Sequence, residues 1–245
     1  MGEKKLAVSV SLMFLCMVIL VGCVPPRTYT PPPYTYTPPP KKPFFKANYD
    51  ISLSEVERPA KAKNRYGEQK LSKIKDGEVY KYYFEDDMVK ILWLPLPANI
   101  TFILENKTNY SIKIIWDDAS FVDTAGGNHR VMHSGVKFSD RNNPQPPSVV
   151  IRKGRIDDLV YPSDYTYYRK GHYSRYSSDP GGWEEKPLFP VNKIGGEIDE
   201  LKKECEVYIG KTIQVLLPMQ IEDVVNDYIF TFRINSVEVK QVGEI

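Results

Sequence analysis

His129 and His133 stand four positions apart, and carboxylates gather around them: Asp117, Asp118 and Asp123 before, Asp157 and Asp158 after. Two imidazoles at that spacing on a helix would share a face and could ligate one metal ion. The flanking residues, Arg130-Val131-Met132 and Ser134-Gly135-Val136-Lys137-Phe138 after a Gly126-Gly127 turn, read as extended chain instead. On a strand, such positions share a face but lie about 13 Å apart, too far for a single ion. No glutamate stands between the histidines to complete a zinc-protease motif. They are expected to be hydrogen-bonded structural groups, and no metal is assigned.

The carboxylates lead no further. Paired acids do acid–base work where their environments split their pKa values, and three close carboxylates can begin a calcium site. The Asp117, Asp118 and Asp123 spacing matches neither pattern, and aspartates at strand ends ordinarily cap turns. Ser134, in His133-Ser134-Gly135, lacks the glycines of a nucleophile elbow. No glycine-rich phosphate loop is present. No catalytic residue and no cofactor follow from these motifs, and the expectation is a protein without enzymatic activity.

One stretch is unlike the rest: YPSDYTYYRKGHYSRYSSDPGGW, from Tyr161 to Trp183. No period of 2 or 3.6 runs through it, so it reads as a long loop or a protruding hairpin. Rigid amphipathic rings with Ser, Gly and Arg between them are what recognition surfaces use. The candidate partner-binding residues are Tyr165, Tyr167, Tyr168, Arg169, His172, Tyr173, Arg175, Tyr176 and Trp183. Such rings bind a protein partner or stack on sugars, while Arg pairs with the carboxylates of peptidoglycan or an acidic polysaccharide. The other reading is a loop whose tyrosines fold back over the core.

The elements that must carry this stretch are mostly strands. Tyr80, Tyr82 and Phe84 alternate with polar residues, as do Ile100, Phe102 and Leu104; Tyr110, Ile112, Ile114 and Trp116; and Tyr228, Phe230, Phe232 and Ile234. Each run is a half-buried strand. Ile213 to Pro218 reads as another, with Val225-Asn226-Asp227 as the turn before the last strand. In Glu197 to Ile209, the residues Ile198, Leu201, Cys205 and Tyr208 share one helical face, and Gly210 follows as a stop. This helix is expected across the end of the fold. Asn106 to Trp116 and Val149 to Pro162, with Gly154 after an apolar run, resemble strand beginnings in Ig-like sandwich modules of envelope lipoproteins. The fold class expected is mainly β: an Ig-like antiparallel β-sandwich with one short helix, over about 197–209, and a long Tyr-rich loop.

The N-terminal residues bear on location. Lys4 and Lys5 precede an apolar run from Leu6 to Val21, whose sixteen residues would span about 24 Å as a helix, short of a bilayer core. That is the form of a secretory signal. Leu20-Val21-Gly22-Cys23 resembles the lipobox of bacterial lipoproteins. The resemblance implies cleavage before Cys23 and diacylglyceryl transfer to its thiol, and with Val24 in the next position it implies the outer membrane of a two-membrane cell. Residues 1–22 are then signal, 23–43 a lipidated Cys and tether, and 44–245 a single domain. In the tether TYTPPP occurs twice, at Thr28 to Pro33 and Thr35 to Pro40. Prolines fix φ and lack amide donors, so this segment reads as a polyproline-II spacer reaching about 60 Å.

Charge and cysteine usage agree with export. Taking the +1 of residues 1–22 (Glu3, Lys4, Lys5) and the +3 of the tether (Arg27, Lys41, Lys42) from the +2 of the chain leaves −2 for residues 44–245. Nucleic acid requires a concentrated basic face, so it is excluded as a partner. With Cys16 in the signal and Cys23 modified, Cys205 is left single and is expected free and buried. The function expected is a membrane-anchored, non-enzymatic binding or structural module with a protein partner in the envelope. The alternative is a carbohydrate- or peptidoglycan-recognition module, or a weak hydrolase.

Overall fold

Alternating apolar and polar side chains put one strand face toward water and the other toward a partner layer, and most of the chain follows that rule. A computed structural model describes residues 38–245 apart from Glu78 and Tyr176; the signal, Cys23 and the tether as far as Thr37 lie outside the described residues. The strands are β1 (Pro43–Glu57), β2 (Lys70–Asp76), β3 (Val79–Glu85), β4 (Val89–Pro95), β5 (Ile100–Asn106), β6 (Ile112–Ile114), β7 (Ser120–Val122) and β8 (Asn128–Met132). They continue with β9 (Ser148–Val150), β10 (Arg155–Pro162), β11 (Thr166–Ser174), β12 (Ser177–Glu185), β13 (Asn192–Ile194), β14 (Thr212–Ile221) and β15 (Val224–Glu244). Two short helices interrupt them, α1 (Ala62–Tyr66) and α2 (Ile198–Glu206).

Hydrogen bonds join 13 strands in the order β13-β1-β15-β14-β7-β8-β10-β5-β4-β3-β2, with β6 bridging β14 to β9. Adjacent strands run antiparallel throughout, for instance Ile213 opposite Phe232 and Trp93 opposite Phe102. The sheet curls until its two arms face each other, so one sheet supplies both layers of a β-sandwich. Trp93 on β4 meets Phe230 and Phe232 on β15 at ring separations of 4.7 and 5.4 Å, and Phe84 on β3 meets Phe230 at 5.5 Å. Ile100, Phe102, Leu104, Ile112, Ile114 and Trp116 fill the space between, all buried. Tyr110 is not among them: it is exposed in the turn before β6.

At one end α2 takes over from the second arm. Phe45, Ala47 and Tyr49 continue the inward face of β1, and Leu201 and Cys205 of α2 cover them together with Val237 and Val239. The helix stops at Glu206, before the expected Ile209, because residues 207–210 turn back toward β14. Burial pushes the Cys205 thiol above its ordinary pKa, and the cysteine is free. The turn before the last strand falls at Glu222-Asp223 rather than at Val225-Asn226-Asp227. Asn226 is fully buried inside β15, where its amide donates to the carbonyls of Met219 and Val224 and its oxygen accepts from Tyr66, at 2.9 Å in the last case.

A buried carboxylate fastens the opposite end. Asp86, only 2% exposed, follows β3. One of its oxygens accepts the amides of Met88 and Val89 at 2.8 and 3.0 Å; the other accepts the Tyr228 hydroxyl at 2.8 Å and faces Arg58 at 3.5 Å. Burial and this carboxylate push the Tyr228 phenol far above its ordinary pKa, so it remains a neutral donor. Arg58 also donates to the Gly67 carbonyl, which ties α1 to the same node. Asp86→Ala leaves a buried hydroxyl and two amides without their acceptor and removes the counter-charge of the part-buried Arg58, an expected cost of about 3 kcal/mol. A melting temperature roughly 10 °C below wild type is expected in thermal melts, whereas Asp76→Ala, which removes an exposed partner of Lys81, leaves it unchanged.

Candidate functional site

The stretch from Tyr161 to Trp183 divides. Tyr161 and Pro162 end β10, and Tyr161 and Tyr165 pack inward. From Thr166 on it is no loop but the hairpin β11–β12, which among the described residues is hydrogen-bonded to no other strand. Its base is built first. Tyr161 is buried, and its hydroxyl donates to the carbonyls of Tyr165 and Lys186 at 3.1 and 2.8 Å, while the Lys186 amide donates back to Tyr165 at 2.8 Å. Thr166 is buried beside them. Beyond this point residues pair in one uninterrupted register, from Thr166 opposite Glu185 to Ser174 opposite Ser177. Glycine is required midway. A Cβ on Gly181, at φ +70°, would lie 2.3 Å from the Arg169 carbonyl oxygen.

The side chains of the hairpin form a surface. Tyr168 lies opposite Trp183, edge to face with ring centres 5.5 Å apart. The Arg141 guanidinium sits 4.7 Å over the Trp183 ring, and Phe138 approaches it at 6.3 Å. Tyr167 donates to Glu184 at 2.9 Å, and Arg169 is bound by both Asp179 and Glu184. Arg169 holds both carboxyls below the usual carboxylate range. The arginine expected to meet a ligand's carboxylates is therefore already engaged by the chain's own. Tyr167, Tyr168, His172, Arg175 and Trp183 are exposed, and Tyr173 leaves 69% of its surface open to water.

Two candidates stand apart from this set. Tyr176 lies outside the described residues. Tyr165 is half-buried at the base, where its ring meets His129 edge-on at 5.3 Å. Spacing alone did not reveal what His129 contacts. Its Nδ1 lies 2.8 Å from Asp164, just before β11, and its Nε2 lies 3.2 Å from Asp123, in the turn after β7. Asp123 also accepts the amides of Ala125 and Gly127, both at 2.8 Å. A cleft of about 340 Å³ opens here, lined by Phe121, Asp123, Tyr165, Lys186, Phe189 and Tyr208 among others.

The remaining chemical candidates are dispersed. His133 stacks flat on Trp116 at 4.3 Å and faces Asp158 at 3.2 Å, so each histidine has its own carboxylate. Asp117 binds Arg130 and the Gln145 amide, away from Asp123. Among the described residues no three His, Cys, Asp or Glu side chains are arranged to hold a metal ion. No helix of these residues is long and apolar enough to cross a membrane. Comparison with family models, with curated proteins and with solved structures finds no match for this chain.

His129 makes the base of the hairpin sensitive to pH. Burial works to lower its pKa, but the hydrogen bonds to Asp164 and Asp123 outweigh it and raise the imidazole above 6.5. Burial opposes the shift of Asp123, yet its amide donors and His129 hold it below 3.8. A raised histidine contributes fully below its unfolded value and loses that contribution as pH climbs through the folded one. The lowered aspartate contributes above its unfolded value and fails only as pH falls through the folded one. His129→Gln is thus expected to lower the melting temperature clearly at about pH 5.5 and much less at about pH 8.5. Equal losses at both values would show that the imidazolium pair contributes nothing.

Proposed function

We propose that this chain is a lipid-anchored envelope protein that presents the β11–β12 hairpin to a protein partner and catalyses no reaction itself. The observation that carries the reading is the hairpin: exposed aromatic rings on a ribbon whose glutamate, aspartate and arginine hold one another in place. Such a surface is ordered before it binds, so little side-chain entropy is lost on contact. Rings of Tyr and Trp are also the residue types that dominate binding energy at interfaces. The core does not depend on them, since the hairpin pairs only with itself. His129 has a carboxylate on each ring nitrogen, which suits an orienting group better than a general base.

The anchor rests on Leu20-Val21-Gly22-Cys23 and its likeness to a lipobox. Two or more acyl chains hold a protein stably to a bilayer, where one is marginal. The outer-membrane location belongs to the same reading: in a two-membrane cell it is supported by Val24, which stands where lipoproteins kept in the inner membrane carry aspartate. A carbohydrate or peptidoglycan ligand is the second reading, because the same rings could stack on sugars. It is less well supported: Arg141 covers one face of Trp183, and Arg169 is held by Asp179 and Glu184.

Two experiments test the reading. Cys23→Ser is expected to abolish metabolic acyl labelling and to move the protein from the membrane pellet to the soluble fraction; a variant still acylated and detergent-partitioning would refute the anchor. A photo-crosslinker at Tyr173 in the membrane-bound protein is expected to yield one discrete protein adduct. Tyr168→Ser with Tyr173→Ser should remove that adduct, weakening binding by about 30-fold or more, and leave the melting temperature unchanged. Retention on purified peptidoglycan, lost in the same double variant, would favour the sugar reading instead.

A further inference from the structure

The end of the sheet where the chain enters the domain carries a surface that the fold itself does not use. Lys42 and Ile245 exchange backbone hydrogen bonds in both directions, at 2.7 and 2.8 Å, so the chain leading into β1 lies beside the end of β15. On the other flank of β1, Phe44 pairs with Ile194. Ile194, Val242 and Ile245 each leave more than half of their surface in water. Lys41, Lys42, Lys46 and Lys240 are exposed at the same end. Lys46 and Lys240 stand directly opposite each other across β1 and β15, a like-charge placement that destabilises a sheet. Glu238 pairs with Lys240 at 2.9 Å. Glu244, opposite Pro43, is another acid of this corner, and Glu200 and Glu204 of α2 are held by Lys193 of β13. Among the described residues Lys41, Lys42 and Lys46 form no ion pair.

We propose that this end docks on the anionic phospholipid headgroups of the membrane that holds the chain, an inference that rests on the Cys23 anchor proposed above. The charge pattern selects that occupant. Residues 41–245, with Lys41 and Lys42 counted, carry no net formal charge, yet Lys41, Lys42, Lys46 and Lys240 lie together at the one end that is covalently closest to the anchor. Residues 24–40 separate Cys23 from Lys41, so even a fully extended chain keeps this end within about 60 Å of the bilayer surface. Each lysine near an anionic leaflet contributes about a fivefold gain in occupancy, and the exposed Ile and Val side chains can enter the headgroup boundary. Tethering turns a weak contact into an intramolecular one, so a small patch is enough.

The test uses the full acylated chain carrying Ile194→Cys, labelled with an environment-sensitive fluorophore; Cys205 is fully buried and is shielded from the label. The protein is reconstituted with phosphatidylcholine vesicles and with vesicles that also contain phosphatidylglycerol. Co-sedimentation reads the anchor and emission reads the docking. Sedimentation with both vesicles is expected, with a blue-shifted, quencher-protected signal only where phosphatidylglycerol is present. That signal should fade as salt is raised to about 0.5 M, where the screening length is about 4 Å. Lys42→Gln, Lys46→Gln and Lys240→Gln together should lower the docked-to-undocked ratio on the order of 100-fold. Sedimentation with an unshifted signal on both vesicles would overturn the docking and leave the anchor standing. An equal shift on phosphatidylcholine alone would overturn the anionic partner. Failure to sediment with either would overturn the anchor, and the docking with it.

Discussion

The fold turns on the contact between Trp93 and the Phe230–Phe232 face of β15, where the two arms of a single hydrogen-bonded sheet meet. Without that contact the thirteen strands would form an open ribbon with one apolar face in water. Each buried ring removes on the order of 200 Å² from solvent, an upper limit of about 5 kcal/mol per ring at 25 cal/mol per Å². Phe84, Phe102, Tyr228 and Trp116 pack around the same centre, so the closing energy is concentrated in a few side chains. β15 is the centre of its arm: it is 21 residues long and pairs with β1 along one edge and β14 along the other.

Aromatic burial closes the sheet but does not select its turns; buried polar side chains do that. Asp86 gathers a turn amide pair, a tyrosine and an arginine at one end. Asn106 acts in the same way at the junction of β5, β6 and β9. Its amide donates to the carbonyls of Tyr110 and Val150 at 2.7 and 3.0 Å, and its oxygen accepts the Thr108 amide at 2.9 Å. His129 joins the β7–β8 turn to the base of the hairpin. A buried polar group costs free energy unless paired, so each of these residues admits one loop conformation and penalises others.

The hairpin differs from these nodes because its polar partners are its own. Arg169, Asp179, Glu184 and Tyr167 are satisfied within β11 and β12, and the rings point outward. The exposed rings are therefore separated in space from the core that gives stability: the sandwich can carry changes in them without repacking, and the hairpin keeps its shape without burial. The cationic corner at Lys42 and Ile245 is separated in the same sense, lying where β1 and β15 run past the main core.

Sequence by itself determined the strand character of this chain, because alternation is local. Ile100, Phe102 and Leu104, or Tyr228, Phe230, Phe232 and Ile234, announce a buried face whatever they later pack against. The inward face of α2 was legible for the same reason at a helical period, through Leu201 and Cys205. The unpatterned, tyrosine-rich character of 161–183 marked that stretch as exceptional, although its pairing as a hairpin depends on Gly181 and on a register that composition does not reveal. Only the tertiary structure decided which groups meet across distance. Asp86 finds Tyr228, 142 positions away; Arg169 finds carboxylates 10 and 15 positions on, and His129 finds one 35 residues ahead. Asn226, read as a turn residue, is buried within β15 because Tyr66 and two carbonyls satisfy its amide. Burial of a side chain follows from its own affinity for water, whereas the partner of a polar group follows from how a whole sheet closes.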